Sequence, residues 1–280
     1  MTLATLSEVL QPAMVGGYAV PGMVCLGWED MRAYAMAAEA EKAPVILQAG
    51  PSCREHTPLP VLGAMFRYLA ENVSVPVVAH LDHGYSAEEC REAIDSGFSS
   101  VMYDGSRKPL ADNISETKAI ADRAHRAGIS CEGEIGFVGY SGGEASAGTD
   151  PDEAAHFARD TGVDAVAISV GNVHLQQDHE GGLDEPRIRS IEAVTNIPLV
   201  IHGGSGVPHA QRFALAQGSA IAKFNIGTEL RMAFGQALRE AVNSDAERFD
   251  RVQILKDTHQ PVFEAARAAI RSVGAHGKAA

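Results

Sequence analysis

The sequence predicts an α/β fold, a closed (β/α)8 TIM barrel with extra C-terminal helices. Three observations carry that expectation. Short β-branched or apolar runs recur along the chain, helix-type segments with start signals separate them, and the runs are too apolar to leave one face wet. Strands of that kind alternating with helices imply a parallel sheet covered by helices. Eight such units in about 240 residues is the usual length of a closed barrel. The alternative is an open doubly wound sheet, which usually has fewer strands and a Gly-rich turn after the first. Nothing resembling GxGxxG follows the first strand here.

Taken in order, Tyr18–Val24 reads as the first strand, Pro44–Ala49 (PVILQA) as the second and Val75–His80 as the third. Ser99–Tyr103, Ile129–Ile135, Asp164–Val170, Ile197–His202 and Ala220–Ile226 complete the eight. Between them, Ser86-Ala-Glu-Glu89 has the form of a capping box. Pro151, followed by Asp152 and Glu153, has the form of a first helical turn that suits the helix dipole. Residues 242–280 read as a C-terminal extension of one or two amphipathic helices, and with no linker in sight 1–280 is expected to be a single domain.

Composition narrows the function classes. The 280-residue chain is 45% hydrophobic and 21% charged, enough for a sizeable core, and its formal charge is −13. An acidic protein is a poor partner for nucleic acid or an anionic membrane, although a locally positive pocket stays open. No apolar run approaches the ~20 residues of a membrane span. The N-terminus lacks a basic region followed by an apolar core, so no leader is expected. Cys25, Cys53, Cys90 and Cys131 are scattered without a CxxC pair, which suits free thiols in a reducing cytoplasm.

The stretch VVAHLDHG (77–84) does not fit a purely structural strand, because it ends on two imidazoles and a carboxylate. In a barrel the active site is built at the C-terminal ends of strands. By that rule, His83 follows the third strand, His174 lies four residues past the sixth, and His202 ends the seventh. A single histidine at a strand end is commonly a hydrogen-bonding loop residue. Three, each in a Gly-containing segment (Gly84, Gly171, Gly203–Gly204), point to a catalytic zinc site with one position open for substrate. His80 is expected to point into the barrel or to stand behind a ligand. His125, His156 and His209 fall in helical segments, and His179 sits unassigned in a loop. Asp82, at the lip of an apolar barrel, suits a general acid–base group; its structural alternative is support of a ligand imidazole.

Two glycine-bearing loops add an anion site. HGGSGVP (202–208) and NIGTEL (225–230) follow the seventh and eighth strands, where this fold commonly binds phosphate on backbone N–H groups. A phosphorylated carbonyl substrate follows, with phosphate on the backbone and carbonyl on the metal.

Together, AHLDHG, VMYDGS, CEGEIG, AISVGNVH, VIHGGSG and NIGTELR, in this order and spacing, resemble the class II ketose-bisphosphate aldolases, which include the fructose- and tagatose-bisphosphate enzymes. The resemblance covers nearly the whole chain. It implies that His83, His174 and His202 bind Zn2+ or another divalent ion, and that Gly203, Ser205, Asn225 and Thr228 contact dihydroxyacetone phosphate. Asp82 would exchange a proton with the aldehyde-derived oxygen, and Asp104 and Glu134 match acidic positions associated with an alternate or additional cation. The implied reaction is reversible cleavage of a phosphorylated ketose through an enediolate that the metal stabilises as a Lewis acid. No Schiff-base lysine is needed, Lys223 being the sole candidate. The extra C-terminal helices and the habit of that family suggest a homodimer or homotetramer, in the cytoplasm that the free thiols suit.

Four departures stand out. Leu175 replaces the glycine usual after the second ligand, and Met23-Val24 replaces Phe-Asn after the first strand. Gly50, with Ser52 and Arg54 nearby, stands where a serine is usual after the second. The mobile loop is a shortened GYSGGEASAGTDP, in which Glu144 matches the glutamate that moves the proton at C1 of dihydroxyacetone phosphate. The enol-forming half is therefore expected to be kept and the aldehyde half altered, with Arg54 meeting a carboxylate or sulfonate. Two rivals are a zinc hydrolase, which leaves the phosphate loops unexplained, and a non-catalytic sugar-phosphate-binding relative.

Overall fold

The computed structural model describes residues 2–179 and 182–279. Among them, eight parallel strands close in sequence order into a barrel: β1 (Val20–Cys25), β2 (Val45–Ala49), β3 (Val77–Gly84), β4 (Ser100–Tyr103), β5 (Ser130–Ile135), β6 (Ala165–Ile168), β7 (Leu199–Ile201) and β8 (Ile221–Ile226). Helix α1 (Leu6–Gly16) precedes the barrel. The layer outside it is built from α2 (Trp28–Glu41), α3 (Pro51–His56), α4 (Leu59–Glu71), α5 (Ala87–Asp95), α6 (Leu110–Arg126), α7 (Pro151–Thr161), α8 (Glu185–Glu192), α9 (His209–Gly218) and α10 (Thr228–Asn243). The expected barrel is what the chain forms. Its C-terminal addition is one long helix, α11 (Arg251–Ser272), packed on α2 and α10.

The strands are buried on both faces, as their composition demands. Inward-facing positions in the centre are nevertheless polar: Gln48, His80, Glu132 and Lys223 are all fully buried. Gly22 makes room for them, since a Cβ there would lie 2.3 Å from Gln48 Oε1 and 2.7 Å from Asn225 Oδ1.

Helix starts follow the expected chemistry with one shift. Asp150 caps α7 by accepting from the N–H groups of Asp152 (2.9 Å) and Glu153 (3.1 Å), with Pro151 at the first helical position. At α5, Ser86 accepts from the Glu89 N–H (3.2 Å), but the Glu89 carboxylate accepts from the Tyr85 N–H (2.8 Å) rather than closing the box on Ser86. No helix of the described residues is long and apolar enough to cross a membrane, and all four cysteines are free and buried.

Candidate active site at the barrel mouth

The third strand does not end at His80 as its apolar run suggests; it continues to Gly84. Strict alternation would send Asp82 inward and His83 outward. Instead, the register of β3 against β4 shifts between Leu81 and Gly84, and His83 takes a left-handed φ of 53°. The irregularity turns consecutive residues into the same cleft, a use to which bulges near active sites are often put. A left-handed histidine costs of order 1–2 kcal/mol, and its surroundings hold it there. Arg54 donates to the carbonyls of Ala49 (3.3 Å), Asp82 (2.8 Å) and His83 (2.6 Å), and its Nε donates to Glu89 (3.3 Å). That corrects the expectation for Arg54. Its guanidinium is only 6% exposed and is spent on the backbone of the β3 turn, so it is not free to meet a substrate anion.

His83, His174 and His202 come together, each offering a ligand atom within 4.8 Å of the others. His83 Nδ1 lies 2.7 Å from Asp104 Oδ2, and Asp104 is itself fixed by the Ser106 hydroxyl (2.6 Å). His202 Nε2 lies 3.1 Å from Glu132 Oε1. Each carboxylate holds one ring nitrogen of its imidazole and turns the other toward the cleft. Those two nitrogens, His83 Nε2 and His202 Nδ1, face each other at 3.0 Å. His174 lies six residues beyond β6, held by its N–H to the Gly139 carbonyl (2.8 Å) and by stacking of its ring on Tyr140 at 4.9 Å.

Electrostatics agree with a place for a cation. Burial opposes charge on His83, but Asp82, Asp104 and Glu134 outweigh it and push the ring up to about 10. Burial and the neighbouring rings lower His174 to about 3 and His202 well below the ordinary histidine range. Glu134 is buried with Oε2 unpartnered, 3.7 Å from His83 Nδ1 and 3.6 Å from His202 Nδ1, and burial raises it well above the carboxylate range. His83, Asp104 and Glu134 form a second set able to hold an ion. Converging imidazole nitrogens beside a buried carboxylate oxygen that lacks a hydrogen-bond partner suit a divalent metal.

The other expected residues divide. Asp82, Gly203, Ser205, Asn225 and Thr228 all line the same cleft. Asp82 accepts from Asn225 Nδ2 at 3.1 Å. Gly203 has φ 64°, and a Cβ there would meet the Val173 carbonyl at 2.3 Å. The Ser205 hydroxyl accepts from the N–H groups of Gly227 (3.1 Å) and Glu229 (3.4 Å), joining the two phosphate loops. Leu175 lines the cleft at φ 60°, the conformation that a glycine adopts freely. Glu144 stands apart: 59% exposed, it pairs with Arg107 (2.7 Å) and does not line the cleft. His80 lies beneath the site, between Ser100 Oγ (2.9 Å) and Lys223 Nζ (3.2 Å). Lys223 is fully buried and paired with Glu132 at 2.6 Å, away from the cleft wall.

Sequence reasoning missed Glu132 and Arg231. Glu132 precedes Glu134 by two residues on one strand, so period-2 alternation alone puts both on the inner face. Arg231 is three residues after Thr228 on α10, one turn from the phosphate loop. Among the described residues it is the only lysine or arginine lining the cleft, and its Nε is buried without a hydrogen-bond partner.

With this geometry in place, comparison with known proteins is decisive. The profile of the family described as fructose-bisphosphate aldolase class-II matches residues 4–278. The chain belongs to that family. As a class II aldolase it is a lyase of a generally metal-dependent group. It is 36% identical over 288 residues to the fructose-bisphosphate aldolase of Geobacillus stearothermophilus, covering 100% of both chains. It is equally 36% identical, over 291 residues, to the 6-phospho-5-dehydro-2-deoxy-D-gluconate aldolase of Bacillus subtilis (strain 168), covering 100% of this chain and 98% of that one. Among solved structures, the YdjI aldolase of Escherichia coli K12 matches with a TM-score of 0.85 at 31% identity, over 99% of this chain and 100% of the other.

Proposed function

We propose that this aldolase holds Zn2+, or another divalent ion, on His83, His174 and His202, and reversibly cleaves a phosphorylated ketose to dihydroxyacetone phosphate and an aldehyde bearing a second anionic group. The observation that carries this reading is the meeting of three imidazole nitrogens within 4.8 Å beside the Gly203–Ser205 and Asn225–Thr228 loops. When bound, the ion supplies a Lewis acid for the substrate carbonyl. The substrate phosphate rests on Gly203, Ser205, Asn225 and Thr228. Asp82, oriented by Asn225, takes the proton from the hydroxyl that becomes the aldehyde as the C–C bond breaks. The bond electrons pass to the three-carbon fragment, and Glu144 returns the proton at C1 once its loop leaves Arg107. Asp104 and Glu134 offer a neighbouring position for an alternate or additional cation.

Arg231, not Arg54, is the group proposed to meet the second anion, because it lines the cleft and its Nε has no hydrogen-bond partner. The two relatives fit this: one is named for a bisphosphate, the other for a phosphorylated gluconate, so both named substrates carry two anionic groups. Metal-loaded enzyme should release dihydroxyacetone phosphate from a doubly anionic ketose, and chelator should stop it. Release of inorganic phosphate instead, without C–C cleavage, would move the assignment to a hydrolase. Arg231→Leu should raise KM for doubly anionic substrates about 10–100-fold, the worth of one charged hydrogen bond, and leave ketose monophosphates unaffected. An equal loss on both substrate types would end the role of Arg231.

A further inference from the structure

We propose a second transition-metal site, formed by His179, His209 and Glu229, outside the cleft and behind the phosphate loop. The three residues come from separate elements: His179 from the loop after β6, His209 from the first position of α9, and Glu229 from the first turn of α10. Their ligand atoms lie within 4.8 Å of one another. The rings of His179 and His209 are 5.1 Å apart, and His209 Nε2 is 3.4 Å from Glu229 Oε2.

Two of the three donors, His179 and Glu229, are prepared by a partner on the far side, the device already seen at His83 and His202. His179 Nδ1 lies 2.7 Å from the Ser205 carbonyl. A carbonyl only accepts, so Nδ1 carries the proton and Nε2 keeps its lone pair. Glu229 Oε1 accepts from Arg212 at 2.8 Å, which anchors the carboxylate and leaves Oε2 turned toward His209. Two imidazole nitrogens and one carboxylate oxygen favour Zn2+, Co2+ or Ni2+ over Mg2+ or Ca2+, which prefer all-oxygen sites. His179 and His209 are exposed, so an ion and its completing waters have access.

The position also ties the site to the cleft. Ser205 receives His179 and Arg212 on its carbonyl and the backbone of Gly227 and Glu229 on its hydroxyl. An ion here cross-links three segments that frame the residue joining both phosphate loops.

The test is a Co2+ titration of the full chain, read by bound-metal analysis and by the visible d–d spectrum. The wild type should bind two equivalents. His174→Ala should lose the cleft equivalent and keep the other, while His179→Ala and His209→Ala should each lose only the outer one. Thermal unfolding in EDTA should be the same for the wild type and these two exposed-site variants, so that metal loss is not loss of fold. A wild type that binds one equivalent, removed by His174→Ala, overturns the site. So does an outer equivalent that survives both His179→Ala and His209→Ala. Neither outcome depends on whether the cleft performs aldol chemistry.

Discussion

Glu41 and Glu134 are both glutamates only 1% exposed, and the molecule treats them in opposite ways. Glu41, at the end of α2, is closed in by the C-terminal segment: it accepts from Arg267 Nε (2.6 Å) and Arg271 Nε (2.9 Å), and His276 Nδ1 lies 2.7 Å away. Burial works against its charge, but Arg271, Arg267 and His276 outweigh burial and bring it down to about 2. Glu134, at the barrel mouth, has the same burial and no hydrogen-bond partner for Oε2. A completed polar network fastens one helix to another. An incomplete one, walled by imidazoles whose ring nitrogens converge, is an arrangement for a ligand.

The sharpest way to break that contrast is to remove the imidazoles. His202→Ala should lose the cleft metal equivalent and reduce cleavage to background, whereas Asp82→Ala should keep that equivalent and lose about 10²–10⁴ in kcat, the usual worth of a general acid–base group. Metal analysis beside turnover separates the two. Loss of metal from Asp82→Ala would make Asp82 a support for His83 instead.

A second test asks whether the buried charges below the mouth belong to the closed or the open class. Lys223 and Glu132 are fully buried and paired at 2.6 Å, and Glu132 also holds His202. Lys223→Met strands a buried carboxylate and should destabilise the fold by about 3–5 kcal/mol, measured by urea unfolding. A loss below about 1 kcal/mol, within the range of exposed pairs, would mean that water reaches Glu132.

How much of this could be read beforehand follows from what periodicity can carry. Eight apolar runs and their separating helix signals specify the barrel, because hydrophobic burial is distributed over every strand. The three histidines were legible since strand order alone brings strand ends to one mouth. The inward turn of His83 was not: it depends on a register shift between β3 and β4 that no local pattern encodes. Arg54 was misread for the same reason, as its acceptors Asp82 and His83 lie about 30 residues away and became available only through that turn. Glu132 was legible and overlooked. Leu175 was flagged as a departure, but only the fold reveals that leucine there occupies the left-handed region that glycine would fill without strain.

The smallest effect returns to the two glutamates. Glu41 has its folded value near 2 against an ordinary 4.5, so ionisation stabilises the fold. That stability is fully present above the ordinary value and is lost as pH falls from 4.5 toward 2. Full linkage would be about 3 kcal/mol, but Arg271 and His276 are 57% and 62% exposed, and solvent screening reduces this to about 1–2 kcal/mol. Glu41→Gln should therefore lower unfolding stability by that amount at pH 7 and flatten its acid dependence. Glu134→Gln in metal-free protein at the same pH should cost less, because Oε2 makes no hydrogen bond and burial holds its carboxyl well above the carboxylate range. Equal losses from both substitutions would show that the mouth carboxylate is also part of the closed framework, and the contrast between the two regions would fail.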